Sequence, residues 1–314
     1  LNIESDGSNT GQTFYAYIPP LTIKNSSAGF SKPPLPYVVV GDTISANNTA
    51  ADTDGDELQY SFILPYTNAY SGGGFGGGGG PPSEIDVPLA TVQYASGYSF
   101  AKPLGNTGYA AIDAITGATK YLAPSVGVYA VAIQIKEYRK GVLVGVTTRD
   151  VQITSQVYSV HTPPPSYTSF NGKTEFHFRE GKSICLPIKF TSTDTITLET
   201  SGELASNPNI IPKPVITGPN VAKDNITKTF CWSTACGQGR TNPDTIIFSA
   251  TSGCPPKTND LGLKIYVLPV KPTFIEKAVT ACQYDKINYK VADTTGSTYK
   301  WTVVGGIATA TTGT

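Results

Sequence analysis

Methionine is absent from the 314-residue chain, histidine occurs only twice (His161 and His177), and charged residues make up just 15% of it. Each shortage excludes something. With two histidines and no CxxC spacing among Cys185, Cys231, Cys236, Cys254 and Cys282, a zinc centre has almost no ligands to draw on. Lys plus Arg and Asp plus Glu balance at 23 each, so no net field gathers phosphates, and nucleic acid is not an expected partner. No apolar run approaches the roughly 18 residues of a spanning helix, so membrane insertion is not expected either. A chain without any Met reads as a mature or excised piece of something longer.

Helical periodicity is missing as well: no segment keeps apolar residues at i, i+3, i+4 and i+7 over three turns. Enzyme signatures are equally scarce. There is no GxSxG or HExxH, and "DTTGS" at 293–297 departs from the Asp-Thr-Gly of aspartic proteases by an inserted Thr and has no second copy. Paired acids for glycoside hydrolysis need only converge in space, and nothing selects a pair. His177 in "TEFHFRE" alternates with Phe176 and Phe178, which puts it on a solvated face, and His161 lies beside prolines.

What the chain has is glycine (32), proline (24), tyrosine (18) and short alternating apolar runs such as "PYVVV", "LQYSFI", "VYAVAIQIKEY", "ICLPIKF", "DTIIFSAT" and "LGLKIYVLPV". Short strands bounded by Gly, Pro and Asn turns predict an all-β chain of antiparallel β-sandwiches. The Pro-rich stretches "VHTPPPSY" and "VLPVKPTF" read as stiff linkers. A weak internal repeat of about a hundred residues, each copy ending in two long strands and a hairpin, supports tandem sandwiches. The expected units are 1–24, the last strand or strands of a preceding domain; 25–158; 159–271; and 272–314, the truncated start of a further sandwich.

Two stretches raise the question of ligands. "NNTAADTDGDELQYSF" sets Asp52, Asp54 and Asp56 around Gly55, a pattern that either collects a hard cation or forms a hydrogen-bonded acidic turn before a strand. The EF-hand spacing is not met. "SGGGFGGGGGPP" lacks the Lys and following helix of a phosphate loop and reads as an irregular surface loop. Tyr66, Tyr70 and Phe75 flank or interrupt it and are the candidates for a sugar-stacking contact.

"ADTDGDELQYSF", "AAIDAITGATKY", "GVYAVAIQIKEY" and "RDVQIT" together resemble bacterial cadherin-like and dystroglycan-type immunoglobulin-like repeats. "SGYSFAKPLG" with the long strand pair is similar to modules of Bacteroidetes gliding-motility and type 9 secretion-associated surface proteins, including SprB-type adhesins. "FCWSTACGQGRTNPDTIIFSATSGCPPK" resembles a second repeat type of such proteins, and "GSTYKWTVVGG" the start of a PKD-like domain. The polyglycine loop and the missing tryptophan before "GYS" depart from the pattern.

The resemblance implies tandem immunoglobulin-like sandwiches on the outer surface of a Gram-negative bacterium. It implies bound calcium at Asp52, Asp54 and Asp56, joined by Asp150 or Glu137. It also implies disulfides Cys236–Cys254 and Cys185–Cys231, although four cysteines by themselves allow three pairings, with Cys282 left to a partner beyond the sequence. O-glycosylation on Asp-Thr patterns would fall on Thr43, Thr195, Thr245 and Thr294. The function implied is a non-enzymatic, structural and adhesive one. Its partners would be neighbouring domains of the same long chain, surface polysaccharide or other surface proteins, and sister chains. The alternative is an accessory or carbohydrate-binding module of a secreted polysaccharide-degrading enzyme.

Overall fold

The computed structural model describes residues 2–4, 15–17, 19–35, 37–67, 88–158 and 162–270, with a few isolated positions beyond 288. Tyr70, Phe75, Thr294, His161, Cys282 and most of the C-terminal unit lie outside the described residues. Alternation sets the architecture, since each long strand carries apolar residues at every second position and so buries one face.

The first sandwich contains β1 (Ala16–Tyr17), β2 (Gly29–Phe30), β3 (Tyr37–Val39), β4 (Thr43–Asn47), β5 (Ala50–Ala51), β6 (Glu57–Ile63), β7 (Tyr109–Ile112), β8 (Ala118–Leu122), β9 (Gly127–Arg139) and β10 (Val142–Gln156). One sheet runs β1-β10-β9-β6, with β3 also paired to β10; the other runs β4-β8-β7. Val38, Ile44, Tyr121, Tyr129, Ile133 and Ile153 fill the space between them. Long β9 and β10 meet in a hairpin at Lys140 and Gly141, where both residues take positive φ as a tight turn onto right-twisted strands requires.

This strand order is that of an immunoglobulin sandwich: three strands in order B, E, D face a sheet built on C, F, G. A second mark of the fold is present at the start of β9. The Tyr129 hydroxyl donates back to the carbonyl of Ser125 at 3.0 Å, the corner that fixes the chain's entry into strand F.

The second sandwich contains β11 (Ser166–Thr168), β12 (Glu175–Arg179), β13 (Ser183–Ser201), a single helical turn α1 (Glu203–Ser206), β14 (Val215–Thr217), β15 (Val221–Ser233), β16 (Asp244–Ser252) and β17 (Lys257–Leu268). Its order is β12-β17-β16-β13-β15-β14, with β11 on β13. The topology of the first unit recurs, with one change. Strands B and C are fused into β13, which pairs with β15 from Ser183 and with β16 from Ile196, crossing layers at a bulge between Thr191 and Thr195. Leu186, Phe190, Leu198, Phe230, Trp232 and Phe248 form its core.

In both units the first strand is split the same way. Its early part pairs antiparallel near strand B, and its later part, β3 or β12, pairs parallel with the last strand. Residues 2–4 and 15–17, expected as the end of a preceding domain, instead lie on the first sandwich. Asn2 is fully buried and exchanges hydrogen bonds with the backbone of Ala130, while β1 pairs with β10.

The two sandwiches are not spaced apart by the prolines at 163–165; they dock face on face. Along β17, Leu261, Leu263, Ile265 and Val267 enter the core. The intervening Gly262 and Lys264 face the first unit, where they meet Thr116 and Asp113. On the opposing β4, Ser45 bonds Asn259 at 3.2 Å and Asn47 bonds Ser249 at 3.1 Å. Cross-unit ion pairs Lys257–Asp42, Lys264–Asp113 and Lys32–Glu199 tie the same seam, and Lys257 is only 1% exposed. Small side chains allow this approach: a Cβ at Gly262 would sit 3.3 Å from Thr116.

Candidate functional site

Asp52 and Asp56 lie in the turn between β5 and β6, where Gly55 adopts a positive φ and the Asp56 amide donates to Asp52 Oδ2 at 2.7 Å. Glu137 reaches the same place from β9. Across the ladder stands Gly145, and any Cβ there would overlap the Glu137 carboxylate. Carboxylate oxygens of Asp52, Asp56 and Glu137 gather within 4.8 Å of one another, and all three residues are buried. Sequence reasoning therefore found the turn and named Glu137 as a candidate to join it.

The charge in this cluster is balanced by the chain itself. Arg139, two positions after Glu137 and so on the same face of β9, grips both oxygens of Asp56 at 2.6 and 2.7 Å. The same guanidinium bonds the Lys24 carbonyl and Asn25 Oδ1. Glu137 receives Asn25 Nδ2 at 2.8 Å and the Ala28 amide at 2.9 Å. Among the six oxygens of the three carboxylates, only Asp52 Oδ1 is buried without a partner. Burial pushes the Asp52 carboxyl up to about 6, against the pull of the Asp56 amide, with the neighbouring Asp56, Asp54 and Glu137 charges adding to the rise.

A calcium ion needs six to eight oxygens free to point at it. Here five of the six each accept a hydrogen bond from the protein, and the hydrogen-bonded acidic turn is the arrangement these residues make among themselves. Asp54 stays outside the cluster, its carboxylate accepting from the Ser26 amide and lying 3.7 Å from Arg139. Asp150 does not join. It pairs with Ala132, five residues along β10 from Gly145, or about 16 Å of strand from Glu137.

The acidic turn also touches the second unit. Asn207, just past α1, donates to the Asp52 carbonyl at 3.1 Å and to Glu203, and Asn209 donates to the Thr53 carbonyl. Beside this contact a cleft of about 980 Å³ opens between the units, bordered by Asp56, Tyr60, Tyr138, Arg139, Glu203 and Arg240. Arg240 pairs with Asp244, whose carboxyl burial raises to about 6 despite that partner.

The other expected positions fall as follows. Cys185 and Cys231 face each other across β13 and β15 and form a disulfide. Cys236 and Cys254 are both exposed and are not joined to each other. Register explains the separation. Cys236 follows the end of β15 that pairs at Ser183, whereas Cys254 sits in the hairpin whose strand pairs at Ile196, about 40 Å away along β13.

Thr43 and Thr195 are exposed, and Thr43 accepts from the Tyr109 hydroxyl at 3.2 Å. Thr245 is buried in β16, at the wall of the cleft between the units. Tyr66 is half-buried, bridged to Thr91 and edge-on to Tyr15 at 6.3 Å, and does not stand out as a stacking platform. His177 is exposed as expected and stacks on Tyr266 at 4.3 Å.

No family model and no curated protein sequence matches this chain. Among solved structures it is similar to a chimeric titin Z1Z2–Z1Z2 tandem, at 9% identity over 77% of this chain and 99% of that one, with a TM-score of 0.24. It is also similar to Dpr2 Ig1–Ig2 in complex with DIP-Theta, at 8% identity over 77% and 100% with a TM-score of 0.24. Zebrafish RET cadherin-like domains 1 to 4 match at 10% over 76% and 48%, with a TM-score of 0.20. At such TM-scores these likenesses carry no weight, and the immunoglobulin-like assignment rests on strand order and the tyrosine corner. Among the described residues no helix is long and apolar enough to cross a membrane.

Proposed function

We propose that the chain is a non-catalytic structural and adhesive part of a large secreted bacterial surface protein, of the gliding-motility adhesin or surface-filament kind. The observation that carries the structural half is the seam: two sandwiches of one topology meet along β4 and β17 through hydrogen bonds and ion pairs, which makes a stiff block. The Cys185–Cys231 bridge suits an oxidising, extracellular compartment. The bacterial identity rests on the motif resemblance of "DTDGDELQYSF" and "FCWSTAC". In this reading exposed Thr43 and Thr195 carry glycans, and exposed loops meet surface polysaccharide, other surface proteins or sister chains.

The test is the coding sequence on either side of this chain together with attachment assays. Many further repeats of the same kind, and loss of cell attachment when this pair is deleted in frame, are the expected results. A catalytic domain for polysaccharide cleavage in the same open reading frame, with attachment unchanged, overturns the reading in favour of an accessory module.

A further inference from the structure

Asp260 occupies an unusual position in the seam. Its register partner on β16 is Ser249, and it borders a cavity of about 300 Å³ whose wall is shared by Ser45, Thr119 and Lys120 of the first unit and by Tyr167, Gly262 and Lys264 of the second. The residue is 5% exposed, and both carboxylate oxygens are buried with no hydrogen-bond partner. The hydroxyl of that register partner, Ser249 Oγ, accepts from Asn47 across the seam and keeps its own proton to turn toward Asp260, which only partly offsets the burial. The carboxylates of the three cross-unit ion pairs, by contrast, each have a lysine in contact: Asp42 with Lys257, Asp113 with Lys264, Glu199 with Lys32.

We propose that Asp260 is a pH-sensitive latch, an acid that is charged and solvated when the two sandwiches part and that takes up a proton when they close over it. The charged groups facing it are Lys32, before β3, and Lys120, on β8, with the Asp113–Lys264 pair at the far end of the cavity. Neither lysine contacts it closely enough to replace lost hydration. Burial accordingly pushes its carboxyl up to about 6, with Ser249, Lys32 and Lys120 only partly opposing.

The sign follows from linkage. A carboxyl whose value is higher in the closed form binds its proton more tightly there, so closure is favoured below about pH 6 and loses that contribution as the pH rises through it. Asp113, which burial would raise but which Lys264 and the Thr116 and Ile115 amides together hold below its usual value, keeps its charge throughout this window. Between pH 7.5 and pH 5 the opening equilibrium should therefore fall by about tenfold.

The experiment uses the whole chain with Ser45→Cys, a seam position that is 2% exposed. The rate at which a thiol reagent labels it, divided by the thiolate fraction at each pH, reads how often the seam opens; label taken up by the chain that keeps Ser45, at Cys236, Cys254 and Cys282, is subtracted. The expected result is about tenfold slower corrected labelling at pH 5, and protection in the Asp260→Asn variant that is high at both pH values. An unchanged corrected rate, or the same pH ratio in Asp260→Asn, overturns the latch. In the unsubstituted chain, the carbon-13 shift of the Asp260 carboxyl should titrate near pH 6, and a titration near the ordinary aspartate value of about 4 overturns it independently.

Discussion

Arg139 decides what the acidic turn is. A guanidinium fork on Asp56, whose side chain is 2% exposed, supplies the cation that three buried carboxylates need. Removing one partner of such a pair leaves a buried charge uncompensated, which costs about 3–5 kcal/mol in a fully buried site; a third of Arg139 is exposed, so water screens part of the loss. Arg139→Gln should destabilise the first unit by about 2 kcal/mol in urea unfolding, while a calcium chelator leaves the melting temperature of the native chain unchanged. A fall in melting temperature on chelation would show that a metal holds this turn. The turn was legible because Asp52, Asp56 and Gly55 are neighbours in sequence. Arg139 was not, because its pairing with residues 83 positions away depends on the β6–β9 register, which one sequence does not display. Gly145 in "VLVGV" was the available clue, since glycine inside a strand marks a close approach by another group.

At the scale of elements, the strands read best from sequence were those with one strongly apolar face, such as β6, β9, β10, β16 and β17. The strands β4, β7 and β8 were missed. "TISAN", "YAAI" and "ATKYL" alternate weakly because their outer positions carry small residues, and Ser45 and Ala118 lie against the second unit rather than water. Continuous β13 extends well past "ICLPIKF" because its bulge, "TSTD", which looks like a turn in sequence, carries the strand on. The disulfide between β13 and β15 closes a loop of 46 residues and so restricts the unfolded chain. Replacing both Cys185 and Cys231 by Ala should cost about 2–4 kcal/mol in denaturant unfolding of the second unit and leave the first unit unaffected. A matching loss in the first unit would mean that the bridge acts through the seam. Gly262 offers the converse test. Its Cα hydrogens pack against Thr116, so Gly262→Val should part the units without unfolding either, read as an increased radius of gyration with an unchanged far-ultraviolet circular dichroism spectrum.

For the whole molecule, sequence and structure agree on tandem immunoglobulin-like sandwiches and disagree on how they are arranged. Three consecutive prolines suggested a spacer that holds the units apart. The seam was invisible because its residues, Ser, Asn, Lys, Asp and Gly, are those of any solvated face; their complementarity emerges only when β4 and β17 lie opposite each other. A polar seam of this kind, rich in ion pairs, is also the sort that responds to pH and salt. Small-angle scattering of residues 1–270 tests the arrangement most directly. Face-on-face packing predicts a radius of gyration of about 19 Å, that of a single compact body of this length. A value of about 24 Å, expected for two such sandwiches set end to end, would contradict it.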